Sequence, residues 1–427
     1  MAEVFDGEVD ETWKGMPAGL GRVPLRQIGK QGWNVLAEDL PFPLLVLKES
    51  ALANNLSVMA GFCAHHRVDL APHGKTTMAP QLFARQLEAG CWGITAGSVE
   101  QLQVLRRVGV PRVILANQAV GRANLAALAD YVDDPEIEVL VFVDSVAEAQ
   151  DLARAVLESG ATGSLGVLAE VGYVGGRTGA RSIEDLVAVA AAVEASAGRL
   201  RLVGVAGFEG LLPVERMSST AGDAPGEDRV EMYIASIGAG LAALRDRLPE
   251  DYIVTAGGSA AFDAVIAGLR NQVADPARLI LRSGCYITHD HGMYSETSPL
   301  QAGNSAAADQ FGALQPALEV WTYVQSVPEP GLAILTCGRR DVPFDYGLPV
   351  PLRHLTRSGD EHDVEGWTIT NVNDQHAYMG LGTGGTPAVG DRVVLGISHP
   401  CTAFDKWRLI PVVDDSYDVI DAIRTFF

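Results

Sequence analysis

Lys75 is the residue through which this chain could do covalent chemistry. It lies in Val68-Asp69-Leu70-Ala71-Pro72-His73-Gly74-Lys75-Thr76-Thr77, where a short apolar run breaks at Pro, His and Gly. From Met78 to Ala89 the spacing becomes helical. The pattern predicts a strand, a tight turn and a helix, with the lysine at the strand's carboxyl end, where parallel α/β folds bind ligands. A desolvated lysine there can lose its proton and attack a carbonyl as a neutral amine; a solvated lysine on a loop is the plainer reading. The chain has five lysines among 32 basic residues: Lys14, Lys30, Lys48, Lys75 and Lys406. Lys406, in Phe404-Asp405-Lys406-Trp407, lacks the strand-to-helix setting and reads as half of an ion pair. His73, two residues before Lys75, is the second candidate catalytic group.

Two glycine turns could complement that lysine. Thr255-Ala256-Gly257-Gly258-Ser259-Ala260-Ala261 follows an apolar run and opens a helix, so free amides and the helix dipole would favour an anion. Ser283-Gly284-Cys285-Tyr286 is similarly small and polar. Each is common as a plain turn, but barrels often bind phosphate in the loops after strands seven and eight. A lysine for an aldehyde and a cradle for a phosphate are the two anchors that pyridoxal 5'-phosphate needs. A third stretch, Glu170-Val171-Gly172-Tyr173-Val174-Gly175-Gly176-Arg177, follows the run ending near Ala169. Arg177 could reach the cofactor ring or a substrate carboxylate, or could simply face solvent.

His399-Pro400-Cys401 follows the apparent strand Val393–Ile397. If the extended conformation continues, residues two apart point to one side, bringing imidazole and thiol to one point. That pair suits a divalent metal, Zn2+ above all, with positions left for water and substrate. A buried cysteine beside a surface histidine is the plainer reading. His289-Asp290-His291 has the same spacing and is the rival metal site, or else hydrogen-bonds within its own loop. His376 is a third polar group, and His65-His66 reads as structural.

The elements that must position these residues recur at the rhythm of βα units. Candidate strands end near Ala71, Thr95, Ala116, Val143, Ala169, Ala206, Thr255 and Leu281. Amphipathic helices such as Val99–Val108, Val146–Leu157, Ile183–Ala195 and Met232–Leu248 fall between them. Eight alternations predict a (β/α)8 barrel rather than an open doubly wound sheet. Leu211–Arg229 reads as a mobile loop on the barrel's ligand-binding face. Beyond Gln301–Gly312, the short runs Leu318–Val324, Leu332–Cys337, Trp367–Asn371, Asp391–Ile397 and Arg408–Val413 predict a β-rich domain. The expected division is an N-terminal extension packing on the β domain over 1–43, the barrel over 44–300 and the β-rich metal-binding domain over 301–427.

Composition narrows the function classes. The chain has 427 residues, 48% hydrophobic, so it can bury a large core. A formal charge of -21 argues against nucleic acid and anionic membranes as partners. Five scattered cysteines without a CxxC pair make no disulfide framework and fit a reducing compartment. With no signal-like N-terminus and no long apolar segment, the expected location is the cytoplasm.

Pro72-His73-Gly74-Lys75-Thr76 resembles the Pro-His-x-Lys-Thr motif of the D-threonine aldolase and D-serine dehydratase family. Gly257-Gly258-Ser259 is similar to the family's phosphate loop, and Ser283-Gly284-Cys285-Tyr286 through Asp290 to its (Pro/Ser)-Gly-x-Tyr-x-x-x-Asp segment. Asp374-Gln375-His376 sits where the family has an acidic-Glu-His-Gly run, with Ala377 in place of the glycine. His399-x-Cys401 resembles the metal pair. The resemblance runs from Pro43 to about Val413; the His-Asp-His-Gly loop and the long N-terminal extension depart from it. It implies an alanine-racemase-type barrel with a C-terminal β domain, and a homodimer acting on a D-amino acid. By that likeness Lys75 holds pyridoxal phosphate as an imine and serves as the base at Cα. Tyr173 or Arg177 lies near the ring nitrogen, and Gly257, Gly258, Ser259, Gly284, Cys285 and Tyr286 receive the cofactor. His399 and Cys401 hold the divalent metal. His-x-Cys, rather than His-x-Asp, points toward dehydration. Retro-aldol cleavage needs the same parts. A non-catalytic protein that buffers the cofactor and a metal-only barrel hydrolase are the readings of other classes.

Overall fold

The computed structural model describes residues 7–212, 226–303, 306–382 and 385–427. Most of the loop expected over Leu211–Arg229 lies outside the described residues; from Gly226 the chain is helical to Leu244. The chain divides into two compact units. One comprises Ala60–Lys75 and Arg85–Gly284, the other Met1–Met59, Thr76–Ala84 and Cys285–Phe427.

The first unit is built on eight parallel strands: β1 (Asp69–Leu70), β2 (Ile94–Ala96), β3 (Arg112–Leu115), β4 (Glu138–Val143), β5 (Leu165–Glu170), β6 (Leu200–Ala206), β7 (Ile253–Ala256) and β8 (Arg278–Leu281). From β2 to β8 each strand pairs with its neighbour in chain order, and β8 also pairs with β1. The remaining gap is bridged by Trp92 N–H donating to Leu70 O at 2.8 Å and Thr95 N–H to Pro72 O at 2.9 Å. Every one of the eight expected strands is present, and the sheet curls into the expected barrel. The runs are short and almost wholly apolar because a parallel sheet is covered on both faces. Ala71, Trp92, Ile114, Leu140, Phe142, Leu168, Val203, Ala206, Ile253 and Ile280 pack together as one buried cluster. Three of the outer helices start on serine caps. The Ser98, Ser145 and Ser182 hydroxyls accept from the backbone N–H of Gln101, Glu148 and Asp185, satisfying donors that a helix start leaves unpaired.

The second unit is dominated by a ten-stranded, mainly antiparallel sheet. Leu44–Lys48 belongs to this sheet, which corrects the expected barrel boundary at 44. It pairs antiparallel with Leu318–Glu329 and parallel with Leu409–Val413. Its unbroken apolar run looks the same from sequence whichever sheet buries it. Likewise Cys285–Leu300, expected as the end of the barrel domain, falls in this unit. Val9, Met16, Leu25, Ile28, Val35 and Leu40 share a buried cluster with Trp321, Val394 and Leu409. Strands Val350–Leu355, Glu361–His362, Ala377–Gly380 and Val419–Arg424 were not anticipated. Pro351, Arg353, Asp421 and Arg424 interrupt apolar patterns that the eye would otherwise follow.

Candidate active site

Chemistry-bearing residues gather in two places, one in each unit. In the barrel unit, Lys75 ends a short turn three residues past Pro72, inside the 3-10 segment Gly74–Thr76. Its side chain is exposed. Among the described residues its Nζ makes no hydrogen bond or ion pair. Gly97, at the end of β2, leaves the space it occupies: a Cβ there would stand 3.7 Å from Lys75 Cδ and 3.3 Å from His73 Cε1. His73 extends β1 through a bridge to Thr95. Its imidazole is held well below its usual pKa, first by burial and then by the charges of Lys75, Arg282 and Arg177. The ring is therefore neutral, and its buried Nδ1 has no partner among the described residues.

The Gly257-Gly258 turn binds a carboxyl group supplied by the chain itself. Gly257 has φ +93°, which disfavours any side chain there. Its N–H donates to Glu209 Oε2 at 3.1 Å, and the N–H of Gly258 donates to Glu209 Oε1 at 2.5 Å. A Cβ on Gly258 would lie 3.0 Å from the Phe208 ring and 3.4 Å from Glu209 Oε1. Glu209 is fully buried, and burial raises its pKa against the pull of these amides and of Arg282. The stretch 255–261 opens a helix, as expected: the helix begins at Phe262. Beside it, Ser283 Oγ donates to Gly257 O at 3.0 Å. The backbone N–H groups of Ser283 and Gly284 donate to no backbone carbonyl among the described residues.

Arg282, which the sequence reading passed over, ties this face together. Its guanidinium donates to Thr255 Oγ1 at 2.7 Å and Gly207 O at 2.6 Å, and lies 5.2 Å from the centre of the Phe142 ring. Glu170, at the end of β5, accepts from Gln118 Nε2 at 2.6 Å and Thr178 Oγ1 at 3.2 Å. Burial raises its pKa, opposed by those bonds and by Arg282. Tyr173 packs edge-on against Tyr233 at 5.1 Å. Arg177 is exposed and lies 4.7 Å above Phe208, so its charge is not buried but is held over an aromatic face. Glu170, Tyr173, Arg177, Thr178, Phe208 and Tyr233 line one small pocket. The turn keeps its shape through Arg181, whose guanidinium donates to the carbonyls of Gly176, Arg177, Thr178 and Gly179.

In the β-rich unit, His399 and Cys401 do meet, though not by the expected route. The chain leaves the strand before them: Pro400 has helical angles and Cys401 starts the short helix Cys401–Phe404. Extended geometry therefore does not explain the pair. His399 Nδ1 lies 2.7 Å from Asp345 Oδ2, and Thr402 Oγ1 donates to Asp345 Oδ1 at 2.7 Å. Burial pulls the His399 imidazole down, but Cys401 and Asp345 outweigh it and lift the ring to about 9. Cys401 Sγ lies 3.5 Å from Cys285 Sγ and 3.3 Å from Thr76 Oγ1. Hydrogen bonds from Cys285 and His399 hold the Cys401 thiol well below its usual range despite burial. The same contact with Cys401, and burial, push Cys285 up. Asp345 and Thr402 escaped notice because they are neither spaced like ligands nor set in a recognisable turn.

At the rival site, Asp290 Oδ2 and His291 Nδ1 are buried without a partner among the described residues. Asp290 Oδ1 accepts from the N–H groups of Gly292, Tyr294 and Ser295 and so caps Met293–Thr297. Burial lowers His289 and His291 to about 4, leaving both rings neutral. The His291 ring packs where Gly396 has no side chain. His376 is exposed at a turn. Lys406 pairs with Asp405 at 3.3 Å, as expected.

Two groups are expected of these residues. For an aldehyde-phosphate cofactor, the barrel offers an amine without a partner among the described residues and a turn whose amides already bind carboxylate oxygens. For a divalent metal, Asp345 engages one nitrogen of His399, the usual way of orienting a ligand imidazole. The set is sparse: among the described residues no group of three or more His, Cys, Asp or Glu is arranged to hold a metal.

Comparison with known proteins agrees with this layout. The "Alanine racemase, N-terminal domain" family model matches residues 47–274 and the "Putative serine dehydratase domain" model matches residues 317–413. D-threonine aldolase from an Arthrobacter species is 27% identical over 381 residues, 87% of this chain and 89% of that protein. Among solved structures, D-threonine aldolase from Filomicrobium marinum is 25% identical with a TM-score of 0.74, covering 92% of this chain and 96% of its own. D-threo-3-hydroxyaspartate dehydratase from Delftia sp. HT23 is 20% identical with a TM-score of 0.68, covering 92% and 99%.

Proposed function

The chain belongs to the D-threonine aldolase and D-serine dehydratase-like family of alanine-racemase-type barrels, and from that premise we propose that it is a pyridoxal 5'-phosphate and divalent-metal-dependent dehydratase of D-3-hydroxy amino acids, giving a 2-keto acid and ammonia. The observation that carries the reading is Lys75: an amine without a hydrogen bond or ion pair among the described residues, at the carboxyl end of β1, beside a neutral His73. Lys75 would hold the cofactor through its amine, and the turns Gly257-Gly258-Ser259 and Ser283-Gly284, continuing to Cys285 and Tyr286, would receive its phosphate end. Because Glu209 occupies the Gly257 and Gly258 amides, a phosphate on those two must displace it. The Ser283 and Gly284 amides ask for no such exchange. His399 and Cys401 would hold the metal, with Zn2+ favoured by a nitrogen and thiolate donor pair. When bound, the pyridoxal ring supplies an electron sink at Cα and the metal a Lewis acid for the β-oxygen.

The chain's own residues do the rest. Lys75 Nζ would be the base that takes the proton from Cα. Neutral His73 adds no second positive charge beside that amine, and its Nδ1 remains for a ligand hydrogen bond. Tyr173 and the aromatic-backed Arg177 would stand near the cofactor ring. Loss of the β-oxygen, rather than of its proton alone, separates dehydration from retro-aldol cleavage.

Incubation with D-serine, D-threonine and D-threo-3-hydroxyaspartate tests the assignment. A 2-keto acid with ammonia is the expected product. Glycine with an aldehyde would overturn dehydration in favour of the second reading, a D-threonine aldolase, which the names of the Arthrobacter and Filomicrobium relatives favour. A chromophore without turnover would support the non-catalytic cofactor carrier.

A further inference from the structure

We propose that Cys285 and Cys401 form a peroxide-sensitive disulfide pair, a modification site that disarms the His399–Cys401 donor pair when it closes. Their sulfurs lie 3.5 Å apart, in van der Waals contact, and Thr76 Oγ1 sits 3.3 Å from one and 3.8 Å from the other. The two residues are 116 positions apart in the chain, so the contact is made by the fold and not by local geometry. Cys401 is partly exposed, whereas Cys285 is buried. A small hydroperoxide therefore reaches Cys401 first, and Cys285 is the sulfur placed to resolve the product.

The chemistry balances with hydrogen peroxide as oxidant. The Cys401 sulfur attacks one peroxide oxygen, the O–O bond breaks, one water leaves and a sulfenic acid remains. The Cys285 sulfur then attacks Cys401 Sγ and expels the hydroxyl as a second water. In total two S–H bonds and one O–O bond are lost. One S–S bond and two O–H bonds form; both sulfurs are oxidised by one electron and the peroxide is reduced by two. A disulfide sulfur is no longer a thiolate ligand, so the oxidised chain keeps His399 but loses its soft donor. That consequence rests on the metal reading above; the disulfide itself does not.

The test uses the full-length, metal-stripped protein treated with one equivalent of hydrogen peroxide, alkylated, digested with chymotrypsin and mapped by mass spectrometry. Chymotrypsin can cut after Tyr286, Phe311 and Trp321, which separates Cys285 from Cys337. The expected result is a dithiothreitol-reversible crosslink between the Cys285 and Cys401 peptides, with Cys63, Cys91 and Cys337 still alkylated. Cys91→Ser keeps that crosslink and Cys401→Ser abolishes it. Separate alkylation of Cys285 and Cys401, a crosslink elsewhere, or Cys401 oxidised to the sulfinic acid without crosslinking would overturn the proposal. Zinc uptake is then measured on the same samples with Zn2+ alone. The reduced chain is expected to bind it and the crosslinked chain to lose that binding. Crosslinking without zinc uptake by the reduced chain would remove the disarming consequence and the metal reading, and leave the disulfide standing.

Discussion

At the scale of single residues, the two candidate centres are set by what their neighbours do to charge. Lys75 is flanked by a histidine that burial and three cations keep neutral. His399 is the opposite case, raised to about 9 by a thiol and a carboxylate. Asp345 explains how its imidazole is aimed, and Asp345→Asn should weaken Zn2+ binding about 10- to 100-fold while leaving cofactor absorbance intact, as measured by competition with a chromogenic chelator. A variant binding zinc as tightly as the parent would sink that role. Glu148 carries a different signal. Burial lifts it from 4.5 to about 8, and its Oε1 has no partner among the described residues. The native state therefore prefers the protonated form. Its contribution is fully present below pH 4.5 and is lost as pH rises toward about 8. Glu148→Gln should flatten that loss, on the order of 1 kcal/mol per pH unit. Denaturant titrations of both proteins at intervals across this window check it, and parallel pH profiles would refute it.

The elements explain which parts of the site could be read from sequence. Eight apolar runs and the helices between them were legible because a parallel barrel writes itself as a regular alternation, and Lys75 follows directly from the first of them. The serine caps are legible too. Ser182→Ala should cost about 1 kcal/mol in urea unfolding, because it removes the acceptor of the Asp185 N–H, with turnover nearly unchanged. A loss below a few tenths would mean the cap is dispensable. What stayed hidden were contacts across the chain. Glu209 on the Gly257 and Gly258 amides, Asp345 on His399 and Cys285 against Cys401 join residues 48, 54 and 116 positions apart. No local pattern encodes such pairings. The His399–Cys401 pair was identified from extended-strand geometry that Pro400 in fact breaks. The two side chains do meet, but not for that reason.

For the whole molecule, each unit carries a buried hydrophobic cluster among the described residues. Trp321 is fully buried in the β-rich unit, and Trp321→Ala should cost about 3–5 kcal/mol there, read as an early loss of that unit's unfolding transition. An unchanged transition would contradict its place in that core. The sequence misplaced the boundary between units because Leu44–Leu47 is equally apolar in either sheet. Everything chemical in this account rests on Lys75 as the cofactor's attachment point. Borohydride reduction of the cofactor-loaded protein, followed by peptide mass mapping, tests it directly. A pyridoxyl group fixed on Lys75 and on no other lysine is the expected result. A label on Lys406, or no label on a protein that still turns over D-hydroxy amino acids, would contradict it.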